Sequence, residues 1–327
     1  IKVKKNNINN FVNLASPKLG TKVMSFSDDF FGKVSRMLND KAPQFIEDKY
    51  DNHGKWMDGW ESKRRRDGGH DWAIIKLGSP GKVYEIEIDT SFFTGNYPPF
   101  ASIQGLYSEK KPDHNNDWKI ILKKQKLQGD KVHNFKVKSA KVNYIRFQIF
   151  PDGGIARLRL LGHVEIDLEK FKNKKTELSS LNLGGKIIAY NNAHYGDVSA
   201  LLTSGRGKTM GDGWETRRRR EPGNDWIIIK LAKSGIIEEI EIDTAHFKGN
   251  FPDKASISAA FFDEKEKVSS IIKQNKNWKE ILPPTKLKAD KIHRFKKIIR
   301  TDEVNYVKLN IFPDGGVSRF RVFGKLK

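Results

Sequence analysis

One long segment of this sequence occurs twice. Residues 59–77 read GWESKRRRDGGHDWAIIKL, and residues 213–231 read GWETRRRREPGNDWIIIKL. Residues 85–98, EIEIDTSFFTGNYP, are nearly repeated as EIEIDTAHFKGNFP at residues 239–252. The two pairs of segments are offset by the same number of residues, since 213 − 59 and 239 − 85 both equal 154. Solenoid repeats are far shorter, roughly 20 to 50 residues. The similarity therefore indicates that one whole folded unit has been duplicated.

The repeat divides the chain of 327 residues into two domains. Each copy covers about 140 to 150 residues, which is an ordinary domain size. A chain of this length also exceeds what a single hydrophobic core usually serves. We predict a first domain at residues 1–165, a charged linker containing Ser, Asn and Gly at residues 166–181, and a second domain at residues 182–327.

The apolar residues follow the period of β-strands. Within residues 85–89 isoleucine alternates with Glu and Asp, and residues 145–149 alternate similarly; this pattern puts apolar side chains on one face of a strand. The PDGG at residues 151–154 indicates a turn, because glycine supplies a positive φ. Helical patterns are confined to short pieces near residues 31–38 and 198–202. We predict an all-β fold of antiparallel sandwiches.

Composition excludes several classes of function. The absence of cysteine excludes disulfides, thiol catalysis and cysteine-ligated metal sites, and suits a reducing compartment. No apolar run approaches the roughly 20 residues that cross a bilayer, and we find no secretory signal. P-loop, Rossmann and G-x-S-x-G patterns are also missing. We expect a cytoplasmic protein with no membrane partner.

The formal net charge is +21, from 61 Lys and Arg residues and 40 Asp and Glu residues. A basic excess of this size is compatible with nucleic-acid binding. The lysines, however, are spread along the whole chain and mixed with acidic residues, as on a solvated basic surface. We therefore expect no nucleic-acid partner. Nucleic-acid binding would be recognised by an affinity for nucleic acid that falls steeply as the salt concentration rises.

The duplicated Arg run has three open interpretations. Consecutive strand residues point to opposite faces, so a regular strand cannot aim the whole run at one ligand. The run could be a solvated edge, or an internal ion-pair network with Glu61 or Glu215 and Asp71 or Asp225. It could also be an anion site, in which guanidinium groups hold a carboxylate and the two flanking tryptophans exclude water.

The motifs GWE[ST][KR]RRR, EIEIDT and FPDGG, in this order and twice along the chain, resemble the allantoicase repeat. The resemblance covers essentially the whole sequence. It implies two tandem homologous jelly-roll β-sandwich domains of the galactose-binding-like type, in a homo-oligomer. It also implies a hydrolase that cleaves allantoate to ureidoglycolate and urea in the degradation of allantoin and purines.

This reaction suggests roles for residues in the duplicated motifs. Allantoate needs cations for its carboxylate and proton donors and acceptors for the expulsion of urea. The candidate substrate-binding residues are Arg65, Arg66, Arg219, Arg220, Asn96 and Asn250. The candidate acid–base residues are Glu61, Glu215, Asp89, Asp243, His133 and His293. Turn formation explains Asp89 and Asp243 equally well, and a structural role is the commoner outcome for such histidines.

The two copies differ in histidine content. His194 and His246 lie in the second copy where the first has Phe30 and Phe92. Duplicated enzymes often keep only one working active site. If that is so here, the second copy, which contains these additional histidines, is the better candidate.

No metal-binding motif is visible. There is no H-E-x-x-H, and His114 with Asp117 is an isolated pair. We expect no tightly bound cofactor or metal. An activating Mn²⁺ or Mg²⁺ held by scattered carboxylates would leave no readable spacing.

The alternative function is a non-catalytic jelly-roll protein that binds an anion or a carbohydrate, because fold alone does not give function. Such a protein would show exposed aromatic side chains for stacking on sugar rings, and Trp118 and Trp278 are candidates. Release of urea from allantoate distinguishes the enzyme from the binding protein.

Overall fold

The computed structural model describes residues 11–300 and 302–327. These residues form two compact units, residues 11–166 and residues 167–327. Both units are built of β-strands, and the described residues contain one short α-helix, α1, at Val268–Lys273. The all-β prediction is confirmed. No helix in the described ranges is long and apolar enough to cross a membrane.

The amino-terminal unit contains twelve strands and two 3-10 helices. The strands are β1 Val12–Asn13, β2 Lys22–Phe26, β3 Tyr50–Asp51, β4 Gly54–Lys55, β5 Trp60–Glu61, β6 Asp71–Asp89, β7 Phe100–Leu106, β8 Lys119–Lys126, β9 Val132–Lys136, β10 Val142–Phe150, β11 Gly154–Ile155 and β12 Arg157–Val164. The 3-10 helices are Pro17–Leu19 and Val34–Leu38.

Strand β6 belongs to both layers of this unit. Its first part pairs antiparallel with β2 and β10, and the layer continues from β10 through β7 to β8. Its second part pairs with β12 and β9, and β1 lies beyond β12. The change of partners falls at the GSPG of residues 78–81. One strand that bends between two packed sheets gives the jelly-roll sandwich.

Glycine is required at the end of this bend in both units. A Cβ added to Gly81 would lie 2.5 Å from the carbonyl oxygen of His163, and one added to Gly235 would lie 2.5 Å from that of Lys325. These contacts are with backbone, which cannot move aside as a flexible side chain can. The bend therefore recurs at the same place in the second copy.

The carboxy-terminal unit repeats this topology. Its strands are β13 Thr176–Glu177, β14 Lys186–Tyr190, β15 Trp214–Glu215, β16 Asp225–Asp243, β17 Lys254–Ala260, β18 Lys279–Lys286, β19 Ile292–Phe295, β20 Val304–Phe312, β21 Gly316–Val317 and β22 Arg319–Leu326. Its 3-10 helices are Leu168–Phe171, Leu181–Leu183, Val198–Leu202 and Asn275–Asn277. Strand β16 pairs with β14 and β20 in one layer and with β22 and β19 in the other.

Strand β13 and the 3-10 helix Leu168–Phe171 lie in residues 166–181, the segment predicted to be a linker. Strand β13 pairs with β22 and extends that layer. The short helical pieces expected near residues 31–38 and 198–202 are the 3-10 helices Val34–Leu38 and Val198–Leu202. The prediction of two tandem jelly-roll sandwiches is confirmed.

The first tryptophan of each Arg segment belongs to the core. Trp60 and Trp214 are fully buried. Their indole nitrogens donate to the carbonyl oxygens of Asp28, at 2.8 Å, and Asn192, at 2.9 Å. A buried indole N–H needs such a partner. These tryptophans therefore anchor the segment to the sandwich rather than form the wall of a ligand site.

Candidate active site

Three segments that are distant in sequence are held together in the carboxy-terminal unit. Strand β15 pairs with β21, so that Glu215 lies opposite Gly316. The backbone N–H of Gly316 donates to the carbonyl of Asn250 at 2.8 Å. The carboxylate of Asp314, in the PDGG turn, accepts the backbone N–H of Arg219 at 2.8 Å. The Arg run, the GN loop and the PDGG turn are thus one assembly.

The amino-terminal unit builds the same assembly. Glu61 lies opposite Gly154, and the N–H of Gly154 donates to the carbonyl of Asn96 at 2.7 Å. Asp152 accepts the backbone N–H of Arg65 at 2.8 Å. This shared backbone frame explains why the three motifs recur together in the sequence.

In the carboxy-terminal unit the assembly surrounds an open pocket of about 390 Å³. Its lining combines three carboxylates, two guanidinium groups, an amide, an imidazole and the backbone of the PDGG turn. The lining residues are His194, Tyr195, Glu215, Thr216, Arg217, Arg218, Gly249, Asn250, Phe251, Asp253, Pro313, Asp314 and Gly315. Such a lining suits a small polar ligand better than an apolar one.

A glutamate and an asparagine predicted as site residues meet in each unit. Asn250 Nδ2 donates to Glu215 Oε1 at 2.5 Å, and Asn96 Nδ2 donates to Glu61 Oε1 at 2.6 Å. The other carboxylate oxygen of each glutamate has no hydrogen-bond partner among residues 11–300 and 302–327. Burial raises the pKa of Glu61, and the hydrogen bond from Asn96 offsets part of that rise. A carboxyl group held at one oxygen and open at the other is suited to proton transfer.

Arg65 is engaged inside the amino-terminal unit. Its guanidinium donates from Nε and Nη2 to Asp67 at 2.9 and 2.6 Å, and from Nη1 to Asp71 at 2.8 Å and to the carbonyl of His70 at 3.0 Å. Asp67 and, to a lesser extent, Asp71 raise the pKa of Arg65 above its ordinary value. These bonds leave little of the guanidinium for a ligand.

Arg219 is engaged in the same manner in the carboxy-terminal unit. It donates from Nη2 to the fully buried carboxylate of Asp225 at 2.7 Å, and Glu221 lies 3.7 Å from Nη1. The hydrogen bond with Asp225 raises the pKa of Arg219. The internal ion-pair network, one of the three interpretations of the Arg run, therefore describes Arg65 and Arg219.

The arginines at the pocket are neighbours of those expected. Arg217 and Arg218 line it, whereas Arg220 is exposed outside the lining. In the amino-terminal unit Arg66 is likewise exposed. Sequence reasoning missed Arg217 because its match in the first copy is Lys63. Arg218 matches Arg64, and nothing in the sequence distinguishes that pair from the arginines that were chosen.

The paired aspartates at the end of the long strand form turns outside the pocket lining. Asp89 Oδ1 accepts the backbone N–H of Ser91 at 2.8 Å, and Asp243 Oδ1 accepts that of Ala245 at 2.9 Å. Asp243 Oδ2 also accepts from Arg206 Nε at 3.3 Å. Both carboxylates are buried. This geometry corresponds to the turn-forming role that the sequence allowed for them.

The paired histidines connect strands to loops. His133 Nε2 accepts the backbone N–H of Gln128 at 2.9 Å, and its Nδ1 lies 3.1 Å from the carbonyl oxygen of Ile88. His293 makes the same contacts with Lys288 and Ile242 at 2.9 and 3.1 Å. This pattern requires a neutral ring with the proton on Nδ1, and burial lowers the pKa of His293 accordingly. Neither histidine lines the pocket.

The two histidines that occur only in the second copy, His194 and His246, lie in different environments. His194 lines the pocket, and neither ring nitrogen forms a hydrogen bond within the described part of the chain; the ring lies edge-on to Tyr195 at 4.2 Å. His246 Nε2 instead contacts the carbonyl oxygen of Gly207 at 2.7 Å. The sequence signal for His194, the lack of a histidine at the matched Phe30, is shared by His246 with Phe92 and so does not distinguish the two.

The remaining candidates lie elsewhere. Trp118 is buried and donates to the carbonyl of Asp113 at 2.9 Å, and Trp278 is half-buried and donates to that of Ile271 at 3.2 Å. His114 packs edge-on to Trp72. Within the described ranges no group of three His, Cys, Asp or Glu side chains is arranged to hold a metal ion.

Comparison with known proteins finds the same duplication. The family model of the allantoicase repeat matches residues 12–165 and 176–327. The probable allantoicase of Acinetobacter baumannii strain ACICU is 46% identical over 98% of this chain and 95% of its own length. Probable allantoicase 1 of Burkholderia mallei is 47% identical over 97% and 95%. The crystal structure of Saccharomyces cerevisiae allantoicase, 36% identical, has a TM-score of 0.81 and covers 97% of this chain and 93% of its own. The chain belongs to the allantoicase family.

Proposed function

We propose that this protein hydrolyses allantoate to ureidoglycolate and urea in the pocket of its carboxy-terminal unit. In this reaction the bond from the central carbon to one ureido nitrogen breaks, and a bond from that carbon to water oxygen forms. The water loses one proton and the leaving nitrogen gains one, so that the balance needs one acid and one base and no further reactant. The observation that carries the proposal is the Glu215–Asn250 pair beside Arg217 and Arg218.

The two arginines supply the site for the substrate carboxylate. Both are exposed at the pocket, and neither is paired with a buried carboxylate as Arg219 is. Arg217 contacts Glu221 at 3.3 Å, a surface pair that a ligand carboxylate can replace. Guanidinium groups bind carboxylates through two parallel hydrogen bonds, which fixes orientation as well as affinity.

Glu215 and His194 supply the acid and the base. Asn250 fixes Glu215 through one oxygen, and the other oxygen is available to exchange a proton with the water or with the leaving nitrogen. The His194 imidazole, with both nitrogens unengaged by described residues, is the second proton-transfer group. A ureido group near Asn250 and the PDGG backbone would find both donors and acceptors.

The test is the release of urea from allantoate by the purified protein. We expect turnover by the unmodified protein and a lower kcat for Glu215→Gln. The control Glu280→Gln changes an exposed glutamate on β18 and should match the unmodified protein. A parallel measurement with a chelator reports whether Mn²⁺ or Mg²⁺ activates the reaction. No urea from the unmodified protein would overturn the proposal. The alternative of a non-catalytic carbohydrate-binding protein is not favoured, because the indole N–H groups of Trp118 and Trp278 donate to backbone carbonyls of their own unit.

A further inference from the structure

The two units differ in the loop that follows the position of His194. Between Gly32 and Gly59 the amino-terminal unit has 26 residues, 33–58, whereas between Gly196 and Gly213 the carboxy-terminal unit has 16, residues 197–212. The longer loop forms a small hairpin of β3 and β4. It therefore adds side chains that have no counterpart in the other copy.

His53 lies at the turn of this hairpin. Its Nδ1 is 2.8 Å from the carbonyl oxygen of Phe30, the residue that replaces His194. Its backbone N–H donates to Asp51 at 2.8 Å, and Asp51 forms an ion pair with Arg36. The hairpin thus places an imidazole against the backbone of the residue that corresponds to His194.

The contact with Phe30 also fixes the proton of the ring. A carbonyl oxygen only accepts, so Nδ1 of His53 carries the hydrogen and donates it. Nε2, the nitrogen that carries the lone pair whenever the ring is neutral, has no hydrogen-bond partner among residues 11–300 and 302–327. An imidazole anchored through Nδ1 and free at Nε2 is arranged as a base.

Glu61 is bonded to the same short segment. Its carbonyl oxygen accepts the backbone N–H groups of Phe31 at 3.1 Å and Gly32 at 3.0 Å. In the carboxy-terminal unit the backbone N–H of His194 donates to the carbonyl of Glu215 at 2.8 Å, and both side chains line one pocket. The segment that holds His53 is therefore the one that corresponds to the pocket wall.

The rest of the polar assembly is also kept in the amino-terminal unit. The Glu61–Asn96 hydrogen bond, at 2.6 Å, reproduces the Glu215–Asn250 bond. Lys63 and Arg64 occupy the positions of Arg217 and Arg218 and are exposed. Lys63 Nζ lies 3.4 Å from Asp28, at the surface. Carboxyl, amide and two cations are all retained.

We infer that the amino-terminal unit contains a second hydrolytic site for a small ureido carboxylate, in which His53 from the added loop takes the place of His194. The inference rests on the proposed function. His53 Nε2 takes the proton of the attacking water, and Glu61 gives a proton to the leaving ureido nitrogen. The bonds made and broken are those of the carboxy-terminal site, and no further reactant is needed. The buried surroundings that raise the pKa of Glu61 support its role as the acid.

The test separates the two sites by disabling one at a time. With Glu215→Gln in place, we expect urea release from allantoate to persist through the amino-terminal site. Adding His53→Ala should lower this remaining kcat by about 100-fold or more, the usual contribution of a general base. Adding His114→Ala, which removes an exposed histidine of the same unit, should leave it unchanged.

The reverse background controls for misfolding. With Glu61→Gln in place, His53→Ala should have no further effect on urea release, because only the carboxy-terminal site is then active. The inference is overturned if Glu215→Gln alone lowers turnover to that of Glu61→Gln with Glu215→Gln. It is also overturned if His53→Ala leaves the remaining activity intact, or lowers activity equally in both backgrounds. An unmodified protein that releases no urea would instead contradict the proposed function itself.

Discussion

The side-chain amide of Asn250 donates to the carboxylate of Glu215 at 2.5 Å, and this bond fixes one oxygen of the proposed acid–base group. The two residues are 35 positions apart in sequence. They meet because the backbone N–H of Gly316 binds the carbonyl of Asn250 while Gly316 lies opposite Glu215 in the β15–β21 pair. The sandwich therefore positions the carboxylate through backbone contacts that the Arg segment and the PDGG turn share.

Removing the amide should reduce turnover rather than binding. In the Glu61→Gln background, which leaves only the carboxy-terminal site, we expect Asn250→Ala to lower kcat by about 10- to 100-fold because a loosely oriented carboxylate transfers protons poorly. KM should change much less. Steady-state urea release checks this. Asn96→Ala in the same background is the matched control and should be silent; an equal loss with both variants would contradict the assignment.

The substrate carboxylate should depend on Arg217 and Arg218. In the same Glu61→Gln background, we expect Arg218→Ala to raise KM for allantoate by about 10- to 100-fold, since a hydrogen bond to a charged group contributes roughly 1.5 to 3 kcal/mol. Arg217→Ala should act in the same direction. Arg220→Ala, exposed and outside the lining, should leave KM unchanged. If Arg220→Ala raises KM and Arg218→Ala does not, the substrate carboxylate binds at Arg220, as the sequence first predicted, and not at the pocket arginines.

The sequence predicted the duplicated all-β fold because alternation and turn residues are local signals that each copy repeats. The sequence also predicted the glutamates and asparagines as site residues, since Glu61 and Asn96 recur at matched positions. It could not predict which arginines line the pocket. The run lies between β15 and β16, outside any strand, so no period tells which of its arginines are internal. The ion pair of Arg219 with the buried Asp225 is visible only in the fold.

His53 shows a second limit of reasoning from repeats. Candidates were chosen because both copies contained them, and the loop at residues 33–58 has no full counterpart. Its contact with Phe30 depends on how the hairpin folds back. A residue in a segment that only one copy contains leaves no pattern in the repeat itself.

Arg219 should matter for stability. Replacing it with alanine leaves the carboxylate of Asp225, which is fully buried, without its charged partner. Breaking a buried pair on one side typically costs about 3 to 5 kcal/mol. We therefore expect Arg219→Ala to lower the free energy of unfolding by about 3 kcal/mol or more in guanidinium chloride. Arg218→Ala, a neighbour in the same run with an exposed side chain, should change it little; similar losses would contradict the division between internal and pocket-facing arginines.

Glu177 should make stability depend on pH. Its Oε1 is buried without a hydrogen-bond partner among the described residues, and Arg321 Nε lies 3.7 Å away. Burial raises the pKa of Glu177 to about 7 from an ordinary value of 4.5; Arg321 opposes the rise, and Glu241 adds to it. Between these two values the folded state keeps a proton that the unfolded state releases. The stabilisation is therefore complete below the ordinary pKa and is lost as pH rises through about 7.

Glu177→Gln removes this dependence because the amide is neutral at every pH. We expect the variant to gain stability relative to the unmodified protein as pH rises through the interval between the two pKa values, with a slope of up to about 1.4 kcal/mol per pH unit. Guanidinium chloride unfolding of both proteins over that interval measures the difference. Glu280→Gln, at an exposed position of the same unit, should run parallel to the unmodified protein. If Glu177→Gln also runs parallel, the carboxyl group is ionised in the folded state and Arg321 outweighs burial.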